Sequence, residues 1–278
     1  MKPNIRLLAL DIDGTLLNPT FQISADDLAA LRRAHASGLE IVLGTGRRHH
    51  FALPVAQALG FDVWLISSNG AVTKSTRGEL FHCDLLPASV ARRFVARMTH
   101  FRPNMVLTFD VEGYGALVIE SAETLNGSIQ RWMEKNDEFI QAVVPIEDSL
   151  TTDPIQAMLC GPVARMKEAE AHLATADFVQ EITALKTQYD SRDLCIVDVL
   201  TKNCSKGHAL KRWAAYRGFH REEIMAIGDN YNDLEMLEFA GIPFIMGNAS
   251  DDIKSNGFRV TLGNDQSGVA AALQEVGI

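Results

Sequence analysis

Asp11 and Asp13 stand one residue apart and run straight into Gly14-Thr15. Three more polar clusters recur along the chain: Gly44-Thr45-Gly46-Arg47, Ser67-Ser68-Asn69-Gly70 and Gly228-Asp229-Asn230-Tyr231-Asn232-Asp233. A fifth segment, Ser205-Lys206-Gly207, adds a cation. Asp11 and Asp13 together with Asp229 and Asp233 offer the oxygen donors that a hard cation such as Mg²⁺ takes. Without a cation or cationic side chains, carboxylates gathered in one place would repel one another and some would hold protons. Gly14 permits a turn and lets a backbone N–H approach a ligand closely. Thr45, set between two glycines, offers a hydroxyl to a phosphoryl oxygen. Lys206 puts a point charge near a predicted helix start, where an anion is favoured. Taken alone each has a plainer reading, since acids cap helices, a lone threonine forms turns and a lone lysine is solvated. The assembly carries the chemistry. His49 and His50 stand outside it, because neighbours in a helix point about 100° apart and chelate poorly.

Strand ends must position these clusters. Residues 5–10 form a nearly continuous apolar run that stops abruptly at acids, the mark of a strand buried on both faces. Residues 39–43, 63–66 and 224–227 repeat it, each ending in one of the clusters. Helices are expected between them. Ser24 caps the first, with Asp27 in the fourth place of a capping-box-like pattern, and Gly38 stops it. Strand, helix, strand, helix, strand implies parallel pairing through right-handed crossovers. In such a sheet, ligands sit beyond the carboxyl ends of the strands. A hairpin is expected over residues 71–83. Residues 84–200 then mix helices (88–100, 164–174) with short strands (105–109, 116–119, 156–160, 194–199), which suits an α+β insertion. The α/β rhythm returns from Ser205, with a strand at 242–246 and a last helix near 267–275. The expected fold is therefore α/β, a Rossmann-like doubly wound parallel-sheet core (1–83 and 201–278) with an inserted α+β domain (84–200).

With 278 residues, 47% hydrophobic and 22% charged, the chain has the composition of a soluble two-domain protein. A net charge of −9 argues against a nucleic-acid partner, which needs a concentrated basic surface. It leaves room for a small anionic substrate, because a metal ion reverses the potential of one pocket. The four cysteines are widely separated and read as reduced thiols, and no apolar run reaches the length of a membrane span. A cytoplasmic protein without a membrane partner is expected, monomeric or weakly dimeric. Trp64, Trp132 and Trp213 read as packing residues.

The segments Asp11-Ile12-Asp13-Gly14-Thr15-Leu16-Leu17, Gly44-Thr45-Gly46-Arg47, Ser68-Asn69-Gly70-Ala71, Ser205-Lys206-Gly207 and Ile227-Gly228-Asp229-Asn230-Tyr231-Asn232-Asp233 resemble, in order and spacing, those of the haloacid dehalogenase-like hydrolases. Met246-Gly247-Asn248-Ala249 fits as well. Within that superfamily the chain resembles the Cof-type phosphatases with a large (C2-type) cap. The resemblance implies a Mg²⁺-dependent phosphatase of small phosphorylated metabolites, sugar phosphates foremost, acting through an aspartyl-phosphate. It makes Asp11 the nucleophile and a metal ligand, Asp13 the acid–base and a main-chain metal ligand, and Asp229 the further carboxylate ligand. Thr45 and Lys206 would hold the phosphoryl oxygens, with Gly14, Gly46, Arg47, Asn69 and Asn232 around the phosphate or substrate. Asp233 would orient Lys206 or a metal-bound water.

Three other readings share parts of this pattern. A receiver domain uses similar residues, but its phosphorylated aspartate lies on a later strand than its acidic pair. A phosphosugar mutase or phosphotransferase uses the same core and passes the group to a sugar, so following the phosphoryl group in the presence of a sugar acceptor separates it from a hydrolase. A non-catalytic phosphometabolite-binding protein would be expected to have lost a core position, and none is lost.

Overall fold

The apolar run before Asp11 becomes β1 (Leu7–Asp11), buried along its whole length. The computed structural model describes residues 4–121, 130, 133–134 and 136–278, and Trp132 lies outside them. The chain forms two units, residues 1–83 with 205–278 and residues 84–204. After β1 the first unit runs through α1 (Ala25–Ala36), β2 (Glu40–Gly44), α2 (His49–Ala58), β3 (Trp64–Ser67), β4 (Val72–Ser75) and β5 (Leu80–Cys83). The second holds α3 (Ala88–Arg97), β6 (Met105–Thr108), β7 (Leu117–Ile119), β8 (Ile140–Ala142), β9 (Gln156–Gly161), α4 (Val163–Leu173), β10 (Ile182–Tyr189) and β11 (Leu194–Thr201). The first resumes with α5 (Lys206–Arg217), β12 (Ile224–Gly228), α6 (Leu234–Phe239), β13 (Ile242–Ile245), α7 (Asp251–Lys254), β14 (Arg259–Val260) and α8 (Gly268–Val276).

The sheet of the first unit has the order β14-β13-β12-β1-β2-β3-β4-β5. It is parallel from β14 to β3, and the hairpin β4–β5 adds two antiparallel strands at one edge. From β1 the chain steps outward through β2 and β3. Its later half starts again on the other side of β1, at β12. The order therefore reverses between β1 and β12, the place where an open α/β sheet forms a crevice at its carboxyl edge. Asp11 is the last residue of β1, and Asp229 follows the last residue of β12.

Helices cover both faces, which explains why the strands are apolar runs rather than alternating ones. Leu8 and Leu10 pack with Leu31 of α1, Ala56 of α2 and Leu273 of α8. Leu7 and Ala9 point the other way, into Leu210 and Trp213 of α5 and Leu237 of α6. Ser24 caps α1 by accepting the Asp27 N–H at 3.1 Å, and Asp27 accepts the Ala270 N–H at the start of α8. Trp64 and Trp213 lie 4.5 Å apart, ring to ring, so both serve packing.

In the second unit the strand order is β10-β11-β9-β6-β7-β8, antiparallel except for β7 with β8. Phe94 and Met98 after α3's start, and Met166 and Leu173 of α4, pack against Leu107, Leu159 and Val197 on one face of that sheet. Two of its strands were absent from the sequence reading. β8 has only three residues, and β10 (ITALKTQY) mixes Thr, Lys and Gln with half-buried apolar positions, so neither makes an apolar run. The return to the first unit comes at Ser205, four residues after the expected boundary at 201. Residues 201–204 stay with the second unit because Thr201 pairs with Ile182 and the Lys202 N–H bonds to Glu181.

Among the described residues no helix is long and apolar enough to cross a membrane, and none of the four cysteines forms a disulfide. Trp213 fixes α5, the helix whose first residue is Lys206: it is 1% exposed and donates to Glu40 Oε1 at 2.7 Å. Trp213→Ala is expected to lower unfolding free energy by about 3–5 kcal/mol, read from the urea midpoint. A loss below about 1 kcal/mol would mean that α5 is held by something else.

Candidate active site

Burial of charge defines the crevice between β1 and β12. Asp11 is 4% exposed, and its Oδ1 accepts a hydrogen bond from Lys206 Nζ at 2.6 Å. The same ammonium donates to Asp233 Oδ1 at 2.7 Å, and neither Lys206 nor Asp233 reaches water to any extent. Lys206 is aimed here because it opens α5, whose N-cap Ser205 accepts the His208 N–H. Asp233 Oδ2 accepts the N–H groups of Asp229 and Asn230, both at 3.0 Å, and so ties the turn after β12 to the lysine. Asp229 Oδ1 accepts the Thr15 hydroxyl at 2.9 Å.

One oxygen from each of Asp11, Asp229 and Asp233 lies within 4.8 Å of the other two. Three carboxylates therefore share one buried cation. Burial, followed by the nearby charge of Asp233, raises Asp11 from 3.8 to about 7, although Lys206 pulls it back. Burial and the Asp11 charge hold Asp229 well above the ordinary carboxylate range. For Lys206 burial works against the charge, yet Asp11 and Asp233 outweigh it and keep the ammonium protonated. Asp11 Oδ2 is buried with no hydrogen-bond partner. A buried oxygen left open beside further carboxylates fits a hard divalent cation, which would supply the missing positive charge. Asp233 fits the ligand role less well, because both its oxygens are already engaged.

The loop after β1 is shaped around Asp229. Gly14 has φ +89°, and a Cβ built on it would fall 2.7 Å from Asp229 Cγ and closer still to Oδ2. Its carbonyl accepts from Asn248 Nδ2 at 2.9 Å. Asn264 Nδ2 donates to the Leu17 carbonyl at 2.7 Å, and its own N–H bonds to Asn248 Oδ1. Two asparagines from the far end of the chain thus hold the segment that carries Asp11 and Asp13.

The turn after β2 is locked to the turn after β3. Thr45 is buried; its N–H bonds to Ile66, its carbonyl accepts from Asn69, and its Oγ1 accepts the Arg47 N–H at 3.1 Å. Asn69 adopts φ +53°, a left-handed conformation that asparagine tolerates better than most residues. Its Oδ1 accepts from Asn232 Nδ2 at 2.9 Å. Gly46 lies against the Asn69 amide, which a Cβ would approach to 3.3 Å. Arg47 turns toward Asp13: Nε donates to Oδ2 at 2.7 Å and an Nη to Oδ1 at 2.6 Å.

The first unit therefore brings together every residue singled out from the sequence: Asp11, Asp13, Gly14, Thr45, Gly46, Arg47, Asn69, Lys206, Asp229, Asn232 and Asp233. His49 and His50 begin α2. Sequence reasoning missed three contributors. Thr15 lies inside the quoted first segment and Asn248 inside the quoted last one, so composition near a strand end could have flagged both. Asn264 sits in a stretch with no such signal.

The family description "haloacid dehalogenase-like hydrolase" matches residues 8–273. Phosphatase YwpJ of Bacillus subtilis (strain 168) is 31% identical over 288 residues, covering 98% of this chain and 100% of its own. Pyridoxal phosphate phosphatase YbhA of Escherichia coli (strain K12) is 28% identical over 254 residues, 90% of each. The solved structure of a haloacid dehalogenase-like hydrolase from B. subtilis superposes with a TM-score of 0.80 at 27% identity, over 97% of this chain and 99% of that one.

Two outcomes are expected. Gly14→Ala forces Asp229 aside and strains the turn, so divalent-cation affinity by calorimetry should fall; an unchanged affinity would mean that the carboxylate is not held where it is seen. In metal-free protein, Asp11 and Asp229 are raised, so the stability they contribute is complete below about pH 4, their unfolded value. It is lost as pH rises through the folded value, about 7 for Asp11. The melting temperature of wild type relative to Asp11→Asn should therefore fall between pH 5 and 8 in chelator, with Mg²⁺ restoring it more at pH 8. A flat difference would contradict the buried charge excess.

Proposed function

The chain belongs to the haloacid dehalogenase-like hydrolases, and on that premise we propose that it is a Mg²⁺-dependent phosphatase of small phosphorylated metabolites, with Asp11 as nucleophile. The observation that carries this reading is the state of Asp11. Its carboxylate is buried at the sheet's switch point, with one oxygen on Lys206 and the other without a partner beside two further acids. A structural aspartate would have both oxygens satisfied.

Asp11, Asp229 and the Asp13 main-chain carbonyl would hold the Mg²⁺, which supplies positive charge that screens the phosphate from the nucleophile. A phosphate monoester repels a carboxylate, so Lys206 contributes its charge at the same point. Thr45 and Asn232, at the ends of β2 and β12, offer a hydroxyl and an amide to the phosphoryl oxygens. An Asp11 oxygen forms a bond to phosphorus while the bond from phosphorus to the leaving oxygen breaks. That oxygen takes a proton from the Asp13 side chain. Water then attacks phosphorus and gives a proton to Asp13, and the bond from phosphorus to Asp11 breaks, which restores both residues. Two easier steps replace one hard one, and a single carboxylate serves as acid and then as base, help typically worth ~10²–10⁴ in rate. Asp233 keeps Lys206 in place through a second hydrogen bond to the ammonium.

The substrate class rests on the relatives. Phosphatase YwpJ and the pyridoxal phosphate phosphatase YbhA cover nearly the whole chain, and small phosphorylated metabolites, sugar phosphates among them, form the panel to test. Turnover of p-nitrophenyl phosphate after chelator treatment should vanish and return with Mg²⁺, and Asp11→Asn should abolish it. Asp13→Asn should lose roughly 10²–10⁴-fold on a poor leaving group. Activity that needs no metal, or an Asp11→Asn variant close to wild type, would rule the mechanism out.

A further inference from the structure

Arg47 stands in the turn after β2, and the family resemblance sets it among the residues that contact phosphate or substrate or brace the loops. Its side chain is engaged elsewhere. Nε and one Nη meet the two oxygens of Asp13 at 2.7 and 2.6 Å, the parallel two-point geometry in which guanidinium and carboxylate match. The other Nη faces the Phe51 carbonyl in the first turn of α2, at 3.5 Å. The Arg47 main chain is pinned as well, its N–H on Thr45 Oγ1 and its carbonyl accepting from Ser68. Both side chains of the pair are about seven-tenths out of water. Arg47 is thus a rigid fork mounted on the Thr45 turn, and it grips the carboxylate of the loop that carries Asp11.

Resting on the phosphatase reading, we propose that Arg47 is a positioning residue for the proton transfer: it fixes the direction of the Asp13 side chain, gives up one of its two bonds when that oxygen carries the proton, and does not itself recognise the phosphoryl group. Asp13 has two side-chain torsions on a loop whose turn depends on Gly14. The fork removes that freedom, and the pinned Thr45 turn gives it a fixed origin. The Thr45 hydroxyl and the Asp13 carboxylate are then set by one piece of backbone, so phosphate grip and proton delivery keep a constant spacing. A misplacement of about 1 Å in such a group costs up to 10²-fold. A lysine at 47 would keep the charge and lose the fork.

The test compares two esters. p-Nitrophenyl phosphate has a leaving group that departs with little protonation, whereas an alkyl phosphate from the metabolite panel, chosen as one that wild type turns over, departs only with a proton. Values of kcat/KM are measured for wild type, Arg47→Lys, Arg47→Ala, Asp13→Asn and Arg47→Ala/Asp13→Asn, with melting temperature checked for each. Arg47→Ala and Arg47→Lys should lose about 10–10²-fold more on the alkyl ester than on the aryl one, with KM on both esters within twofold of wild type. In the Asp13→Asn background, Arg47→Ala should add no further loss, because the group it positions is gone. Equal losses on both esters with a raised KM would overturn the proposal and return Arg47 to phosphate binding. So would additive losses in the double variant. Full recovery by Arg47→Lys would also overturn it, since charge alone would then suffice. If Asp13→Asn shows no dependence on leaving group, the acid role of Asp13 fails, and this proposal with it. If Asp13→Asn shows that dependence and the Arg47 variants do not, only the role of Arg47 fails.

Discussion

Everything in the first unit answers to one electrostatic constraint: three carboxylates and a single ammonium are buried together where the sheet changes direction. Removing one partner from such a group costs about 3–5 kcal/mol, so the arrangement survives only because each charge is met by hydrogen bonds from several parts of the chain. Lys206 bridges Asp11 and Asp233, two main-chain N–H groups hold Asp233 from below, and Thr15 holds Asp229. The remaining imbalance is negative. It suits the site to a divalent cation and, through such a cation, to the anionic substrate proposed above. In a protein of net charge −9, a cation held there would let the site accept a phosphate group.

The topology supplies the meeting point. β1 and β12 come from opposite ends of the sequence and pair in register, Leu10 beside Ile227, so Asp11 and Asp229 emerge side by side. The shell around them works through the backbone. Asn248 and Asn264 hold carbonyls of the Asp11 loop, while Asn69 and Asn232 join the turns after β3 and β12. Amides suit these positions because they bring donors and acceptors without adding to a site already crowded with charge.

Much of this was legible in the sequence, and what was not has a physical reason. Apolar runs ending in polar clusters give away β1, β2, β3 and β12, because strands covered on both faces must be apolar throughout. Polar residues at those ends then fall at one edge of the sheet, so Asp11, Asp13 and Asp229 could be singled out from sequence, while Lys206 was marked by a predicted helix start. The roles of Asn248 and Asn264 were hidden because a side-chain bond to a carbonyl more than 230 residues away leaves no periodic trace. The partner of Arg47 was hidden for a similar reason: residue type shows a guanidinium beside a phosphate-binding turn, but not which anion it faces. β10 escaped notice because its half-buried, polar-rich sequence lacks the alternation on which strand recognition depends.

The central claim is that Asp11 takes the phosphoryl group onto its own carboxylate. Its most direct measurement is an acid quench of wild type during turnover of a ³²P-labelled phosphate ester, followed by borohydride reduction and peptide mapping. The account predicts label on the peptide that contains Asp11, with reduction marking Asp11 itself and not Asp13, Asp229 or Asp233. Label at another residue, or turnover with no covalent phosphoenzyme on that timescale, would contradict it.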